Sequence, residues 1–130
     1  MIIDASALVA ILFDEPESTE FTRRIAATDE DRLISPVNFV EAGIRADDPR
    51  APAKAATLDS LMEALAVDIA PISAEQARLA RDAYRRFGKG RHPAGLNLGD
   101  CFAYALAKSR NESLLYKGDD FARTDIKAAR

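Results

Sequence analysis

The sequence predicts an α/β protein: a single-domain, three-layer α/β/α sandwich around a short parallel central sheet. Three observations carry that prediction. Short apolar runs that read as strands alternate with segments of helical periodicity. Strand runs end in polar or proline-led turns that open the next helix. One helical segment, Cys101 to Ala107, is apolar on every side and so belongs inside the fold. At 130 residues the chain is one domain's worth, spanning 1–130. A domain of this size buries roughly two-thirds of its unfolded surface, enough for a core without staples.

Met1-Ile2-Ile3 reads as a buried strand ending at Asp4. Ala7 to Phe13 follows as a helix, with Leu8, Ile11 and Leu12 at i, i+3 and i+4. Asp14-Glu15-Pro16 breaks it, and Pro16 suits the first turn of a second helix that runs to about Ala27 and buries Phe21 and Ile25. Arg32 to Ser35 is a second strand, and Pro36 opens a third helix whose apolar face is Val37, Val40 and Ile44. A fourth helix, Ala53 to Leu65, carries Leu58, Leu61, Met62 and Leu65. Val67 to Ile72 is a third strand. Ser73 and Gln76 then form a capping box for a helix with Ala77, Ala80, Tyr84 and Phe87 on its apolar face. Gly88 to Pro93 is a loop, Leu114 to Tyr116 a fourth strand, and Thr124 to Ile126 a fifth.

Composition narrows the function. Eighteen Lys and Arg against 21 Asp and Glu give a net charge of −3, which excludes a globally basic nucleic-acid binder but not a local basic patch. Cys101, the lone cysteine, permits no internal disulfide and fits a reducing cytoplasm. The apolar run Ala5 to Phe13 is too short to span a bilayer, and Asp4 stands where a signal peptide carries positive charge. The expectation is a cytoplasmic protein with no membrane association.

In an open parallel sheet, ligands bind beyond the carboxyl ends of the strands. Asp4 ends the first strand, Glu41 lies in the helix entered from the second, Asp100 opens the apolar helix, and Asp119 follows the fourth strand. Parallel strands place all four on one edge of the sheet. Such a cluster is costly without a cation, because each carboxylate raises the pKa of its neighbours, and Lys117 offsets only one charge. Oxygen-only ligands suit Mg²⁺ or Mn²⁺, and phosphodiester hydrolysis is the chemistry such a centre serves. The competing reading is chance, since 21 acids in 130 residues put an acid near most loop ends.

Four separated segments together resemble PIN-domain ribonucleases: Met1 to Leu12 (MIIDASALVAIL), Ser35 to Glu41 (SPVNFVE), Asn97 to Lys108 (NLGDCFAYALAK) and Leu114 to Phe121 (LLYKGDDF). The likeness is strongest to VapC toxins of bacterial toxin–antitoxin pairs and covers nearly the whole chain. It implies that Asp4, Glu41, Asp100 and Asp119 hold Mg²⁺ or Mn²⁺ and cleave RNA, with Ser6 and Asn38 in support. It favours Asp119 over its neighbour Asp120 as the fourth acid. It also implies a VapB-type antitoxin partner and a homodimer. Many relatives carry Ser or Thr where this chain has Lys117, and the stretch Arg45 to Pro52 is more polar than the pattern.

Arg85, Arg86, Lys89 and Arg91 form a run of bases without an acid, beside a glycine-rich loop suited to backbone approach. This reads as a phosphate-binding flank for RNA; the alternative is a solvated helix face with Asp82 pairing to Arg78 and Arg86. His92 has no triad partner in view and reads as a phosphate contact, while Cys101 reads as packing. Two rival functions remain. A haloacid-dehalogenase-like phosphatase needs a second acid two residues after Asp4, where this chain has Ser6. A non-catalytic PIN-like module has no need of the four acids.

Overall fold

The computed structural model describes residues 1–129. Four two-residue strands, β1 (Ile2–Ile3), β2 (Leu33–Ile34), β3 (Asp68–Ile69) and β4 (Leu114–Leu115), form one parallel sheet in the order β3-β2-β1-β4. Successive side chains of a strand point to opposite faces, and here both faces are covered. Ile3, Ile34 and Leu115 pack into a core with α1 (Ala5–Leu12), α2 (Ser18–Ala27), α3 (Pro36–Ala46) and α4 (Ala53–Ala64). Ile2 and Leu114 pack into a second core with α5 (Ala74–Phe87) and α6 (Leu98–Arg110). The result is the three-layer α/β/α sandwich expected from the sequence.

The chain winds outward from β1 to β2 to β3, then crosses back through α5 and α6 to lay β4 on the other side of β1. The order therefore reverses between β1 and β4, and a crevice opens beyond their carboxyl ends. Asp4 N–H donates to the Leu115 carbonyl at 2.9 Å, which closes this junction.

Several elements differ from expectation. On α3, the buried residues are Asn38, Ala42 and Ala46, whereas Val40 and Ile44 are 57% and 68% exposed. The small alanines allow α3 to approach α1 closely, Phe39 packs half-buried against the core, and Val40 and Ile44 face outward. On α5 the buried stripe is Gln76, Ala80, Ala83 and Phe87, leaving Ala77 and Tyr84 exposed. The Ser73 cap is half a box: Ser73 Oγ accepts from Gln76 N–H at 3.1 Å, but the Gln76 amide donates to the Pro71 carbonyl. Residues Thr124 to Ile126 form no strand. Thr124 Oγ1 accepts from Ile126 N–H to make a turn, and Asp125 is drawn to Tyr104 and Lys108. The next residues bridge to β4 instead, with Leu114 N–H donating to Lys127 O and Ala129 N–H to Leu114 O, both at 2.8 Å. Among the described residues no helix is long and apolar enough to cross a membrane.

Candidate active site

Asp4 leaves β1 in an extended conformation and caps α1: its Oδ2 accepts from Ser6 N–H at 3.0 Å and from Ser6 Oγ–H at 2.6 Å. Ser6 Oγ accepts in turn from Lys117 N–H at 3.0 Å, so one hydroxyl ties Asp4 to the end of β4. The side chain of Asp4 is only 4% exposed, and its Oδ1 is buried without a partner. Burial pushes its pKa up, the Ser6 hydrogen bonds hold it down, and the charge of Glu41 raises it further.

Glu41 comes from the middle of α3. Asn38, one turn earlier and fully buried, donates from Nδ2 to Glu41 Oε1 at 2.9 Å and to the Gly99 carbonyl at 2.9 Å. One amide thus joins α3 to the start of α6. Burial raises the Glu41 pKa, the Asn38 bond opposes that rise, and Asp100 adds to it.

Asp100 lies in the first turn of α6, within a reciprocal capping box. Asn97 Oδ1 accepts from Asp100 N–H at 2.9 Å, and Asp100 Oδ2 accepts from Asn97 N–H at 3.0 Å. Burial lifts the Asp100 pKa to about 6; the Asn97 bond opposes this, and the charges of Asp4 and Asp120 contribute to it. Asp4, Glu41 and Asp100, from three different elements, are therefore electrostatically coupled. Each has one oxygen held by a protein donor and the other open.

Of the adjacent pair, Asp120 is the acid whose charge acts on Asp100; Asp119, the residue singled out by the resemblance, is exposed beside it. Lys117 does not neutralise the acids, because its ammonium is paired with Glu15 and, at 3.2 Å, with Glu17. Ser6, Glu41, Ile44, Arg45 and Lys117 line the open cleft beside these acids. Cys101 is buried, and burial together with Asp100 pushes its thiol up to about 11, so it offers no thiolate. His92 Nδ1 accepts from Ala94 N–H and the ring meets Phe87 edge-on, which pins the loop.

The basic run divides. Arg86 is committed to Asp125 at 3.4 Å, to Asp82 at 3.7 Å and to the Tyr104 hydroxyl. Arg85, Lys89 and Arg91 are exposed, with Arg91 lying over the Tyr84 ring. Sequence reading missed Asn97 and Gly99. The N-x-x-D spacing before an apolar helix was the signal for the first; the second had none beyond being a glycine next to an acid.

The PIN domain family model matches residues 1–127. Ribonuclease VapC28 of Mycobacterium tuberculosis is 46% identical over 130 residues, covering 99% of this chain and 97% of that protein. The chain belongs to the PIN-domain family, among its VapC ribonucleases. A ribonuclease VapC of Mycolicibacterium smegmatis is 45% identical over 128 residues, covering 98% of each chain. The crystal structure of M. tuberculosis VapC20, a toxin described as cleaving the sarcin–ricin loop, shares the fold. It superposes with a TM-score of 0.76 over 96% of this chain and 95% of its own, at 12% identity. This PIN domain is thus a ribonuclease with its acids at the β1–β4 crevice.

Proposed function

We propose that this VapC-family ribonuclease is the toxin of a toxin–antitoxin pair, an endonuclease that hydrolyses RNA phosphodiesters with Mg²⁺ or Mn²⁺ in its acidic cleft. The observation that carries the reading is the trio Asp4, Glu41 and Asp100, each with one oxygen fixed and one free. The donor set fits a hard cation. It consists of carboxylate oxygens, and the buried, unpartnered Asp4 Oδ1 is a group whose desolvation a cation would offset. Among the described residues no group of three or more His, Cys, Asp or Glu side chains is drawn together closely enough to hold a metal ion by itself, so the support for a cation is the donor chemistry and the unpartnered Asp4 oxygen.

Asp4 and Asp100 would be the ligands, with Glu41 and an acid of the 119–120 pair completing the negative shell. When bound, such an ion lowers the pKa of water and neutralises charge on a phosphoryl oxygen. The protein's own part is positioning and proton handling. Ser6 locks Asp4 through Oδ2 and leaves the buried Oδ1 without a partner, and the Asn97 box holds Asp100 through its Oδ2. Glu41, held by Asn38 and raised above the ordinary glutamate range, is the group placed to take a proton from attacking water at Oε2. Arg85, Lys89 and Arg91 would contact the RNA beside the cleft, whereas Arg86 serves the fold.

A VapB-type antitoxin, a homodimer and a cytoplasmic location belong to the same reading. Support for a protein partner comes from exposed Val40 and Ile44 on α3, of which Ile44 lines the cleft. The phosphatase alternative lacks its second acid, since Ser6 occupies that position and donates to Asp4. The test is direct: the purified protein should cleave RNA with Mg²⁺ or Mn²⁺, stop on chelation, and lose activity as Asp4→Asn. Undiminished cleavage by a folded Asp4→Asn protein would overturn the reading.

A further inference from the structure

Among the described residues, five arginines make ion pairs. Arg23 and Arg24 pair with Glu20, Arg50 with Asp48, Arg86 with Asp125, and Arg110 with Glu112. Arg81, Arg85 and Arg91 make no salt bridge among the described residues, as is also true of Arg32, Arg45, Arg78 and Arg123; what sets these three apart is that they line one groove of about 540 Å³ between α5 and α6. No carboxylate lines that groove. Its floor is apolar, formed by buried Ala80 and Cys101 with half-buried Phe102, and its mouth carries Leu98, 71% exposed.

The groove also contains a fixed aromatic platform. Tyr84 is 39% exposed, yet its ring is not free to swing. Gly88 leaves the space that the ring fills, since a Cβ there would come within 2.8 Å of a ring carbon. The Tyr84 hydroxyl donates to the Lys89 carbonyl at 3.3 Å, and the Arg91 guanidinium lies 5.6 Å from the ring centroid. An aromatic ring, a guanidinium plane and an apolar floor make a stacking site for a planar heterocycle, and the uncommitted guanidinium groups match the phosphates attached to it.

The location ties this groove to the acids. Leu98, Cys101 and Phe102 face the groove, while Gly99 and Asp100, in the same turn, face Glu41 and Asp4. The wall between the two is one helix, about 10 Å across. A strand that runs over it carries a base into the groove within roughly two nucleotides of the phosphate at the acids.

We infer that the α5–α6 groove is a nucleobase subsite: Tyr84 and Arg91 stack one unpaired base of the RNA, and Arg81 and Arg85 hold its flanking phosphates. The inference rests on the ribonuclease reading above and adds a requirement to it. The RNA must present a splayed, unstacked base next to the cut, so loops and single strands are substrates and a continuous duplex is not.

Abasic scanning separates the two readings. A single-stranded RNA with one defined cut site is prepared as a series, each member lacking one base near that site. The wild-type protein is assayed on each with Mg²⁺ or Mn²⁺. One position within about two nucleotides of the cut should lower kcat/KM by roughly ten-fold or more, as loss of a base–aromatic stack does. Tyr84→Ala should cut the intact RNA slowly and lose that position dependence, while Tyr84→Phe keeps both rate and dependence. Leu98→Glu, a change at an exposed position, should weaken the same step. If no RNA is cut at all, the ribonuclease reading fails. If every abasic RNA is cut equally well, or Tyr84→Ala and Leu98→Glu cleave like wild type and impair only association with a protein partner or second copy, the nucleobase subsite is overturned.

Discussion

The Glu41 carboxylate occupies the space that a Cβ on Gly99 would take. The acid reaches the head of α6 only because residue 99 has no side chain, and the Asn38 amide then bonds both partners. Glycine at this place is a condition for the site rather than for the helix. Alanine is the better helix former by about 1 kcal/mol.

Gly99→Ala should therefore displace Glu41 and lower RNA cleavage by at least about ten-fold while the protein stays folded. Gly43→Ala is the control, since its Cβ meets nothing within 4 Å. That variant should cleave normally and gain about 0.5–1 kcal/mol in stability. Cleavage rates and melting curves of the two variants check this directly, and equal activities would contradict the role given to Gly99.

Asp100→Asn should stabilise the metal-free protein and abolish its response to metal. The amide still accepts from Asn97 N–H, so the cap survives while a repelling charge goes. The expected gain is about 0.5–2 kcal/mol, discounted for the partial exposure of the site. Stabilisation by Mg²⁺ or Mn²⁺ should shrink or vanish with the ligand. Asp59→Asn, on an exposed face, should change neither. Thermal melts with EDTA and with metal give both readings.

The same three acids set a pH dependence. Asp4, Glu41 and Asp100 are all raised in the fold, Asp100 from 3.8 to about 6. A raised acid binds more protons folded than unfolded, so its stabilising contribution is complete below its ordinary pKa and is lost as pH rises through the folded value. Chelated protein should thus lose stability between about pH 4 and pH 6, and Asp100→Asn should flatten that decline. Urea midpoints across the range in EDTA test the sign; a stability rising from pH 4 to pH 6 in wild type with no change in the variant would contradict it.

The basic segment should behave as two parts. Arg85→Gln and Lys89→Gln should each lower the salt dependence of single-strand RNA binding by roughly 0.7 in log–log slope while leaving stability alone. Arg86→Gln should instead reduce stability, because it loosens the Asp125–Tyr104 contact that pins residues 124–126. Binding isotherms at several salt concentrations, paired with melts, distinguish them.

Asp119 and Asp120 can be ranked in the same way. Asp120 is the one that acts on Asp100, so Asp120→Asn should bring the Asp100 pKa down and cost more cleavage than Asp119→Asn. Carboxyl titration by NMR gives the first, and steady-state rates give the second. A larger loss from Asp119→Asn would restore the choice made from family likeness.

The alternation of strands and helices was legible because each strand is a short apolar run followed at once by a polar turn, as in Ile2-Ile3-Asp4 and Leu33-Ile34-Ser35. The expectation that Asp4, Glu41, Asp100 and Asp119 share one edge rested on parallel strands; Asp4 does end β1, but Asp100 opens α6, which no strand precedes directly. The face of α3 was not legible. Periodicity equates large apolar side chains with the core, but Ala42 and Ala46 are the buried residues while Val40 and Ile44 are exposed, Ile44 at the edge of a cleft. The 124–126 segment failed as a strand for a related reason: side-chain bonds of Thr124 and Asp125 compete with the ladder. The space at Gly99 and the α5–α6 groove arise from packing between distant segments, which no local pattern encodes.

The pairing of β1 with β4 also bears on synthesis. Ile2 and Ile3 take Leu114 and Leu115 as neighbours, and Ser6 receives its bond from Lys117. A growing chain owns Asp4 and Glu41 early, but Asp100 and the strand that completes the crevice, β4, are made well after them. Such long-range closure makes the site the final thing assembled. The emerging polypeptide therefore stays unarmed until β4 has been made and has paired with β1.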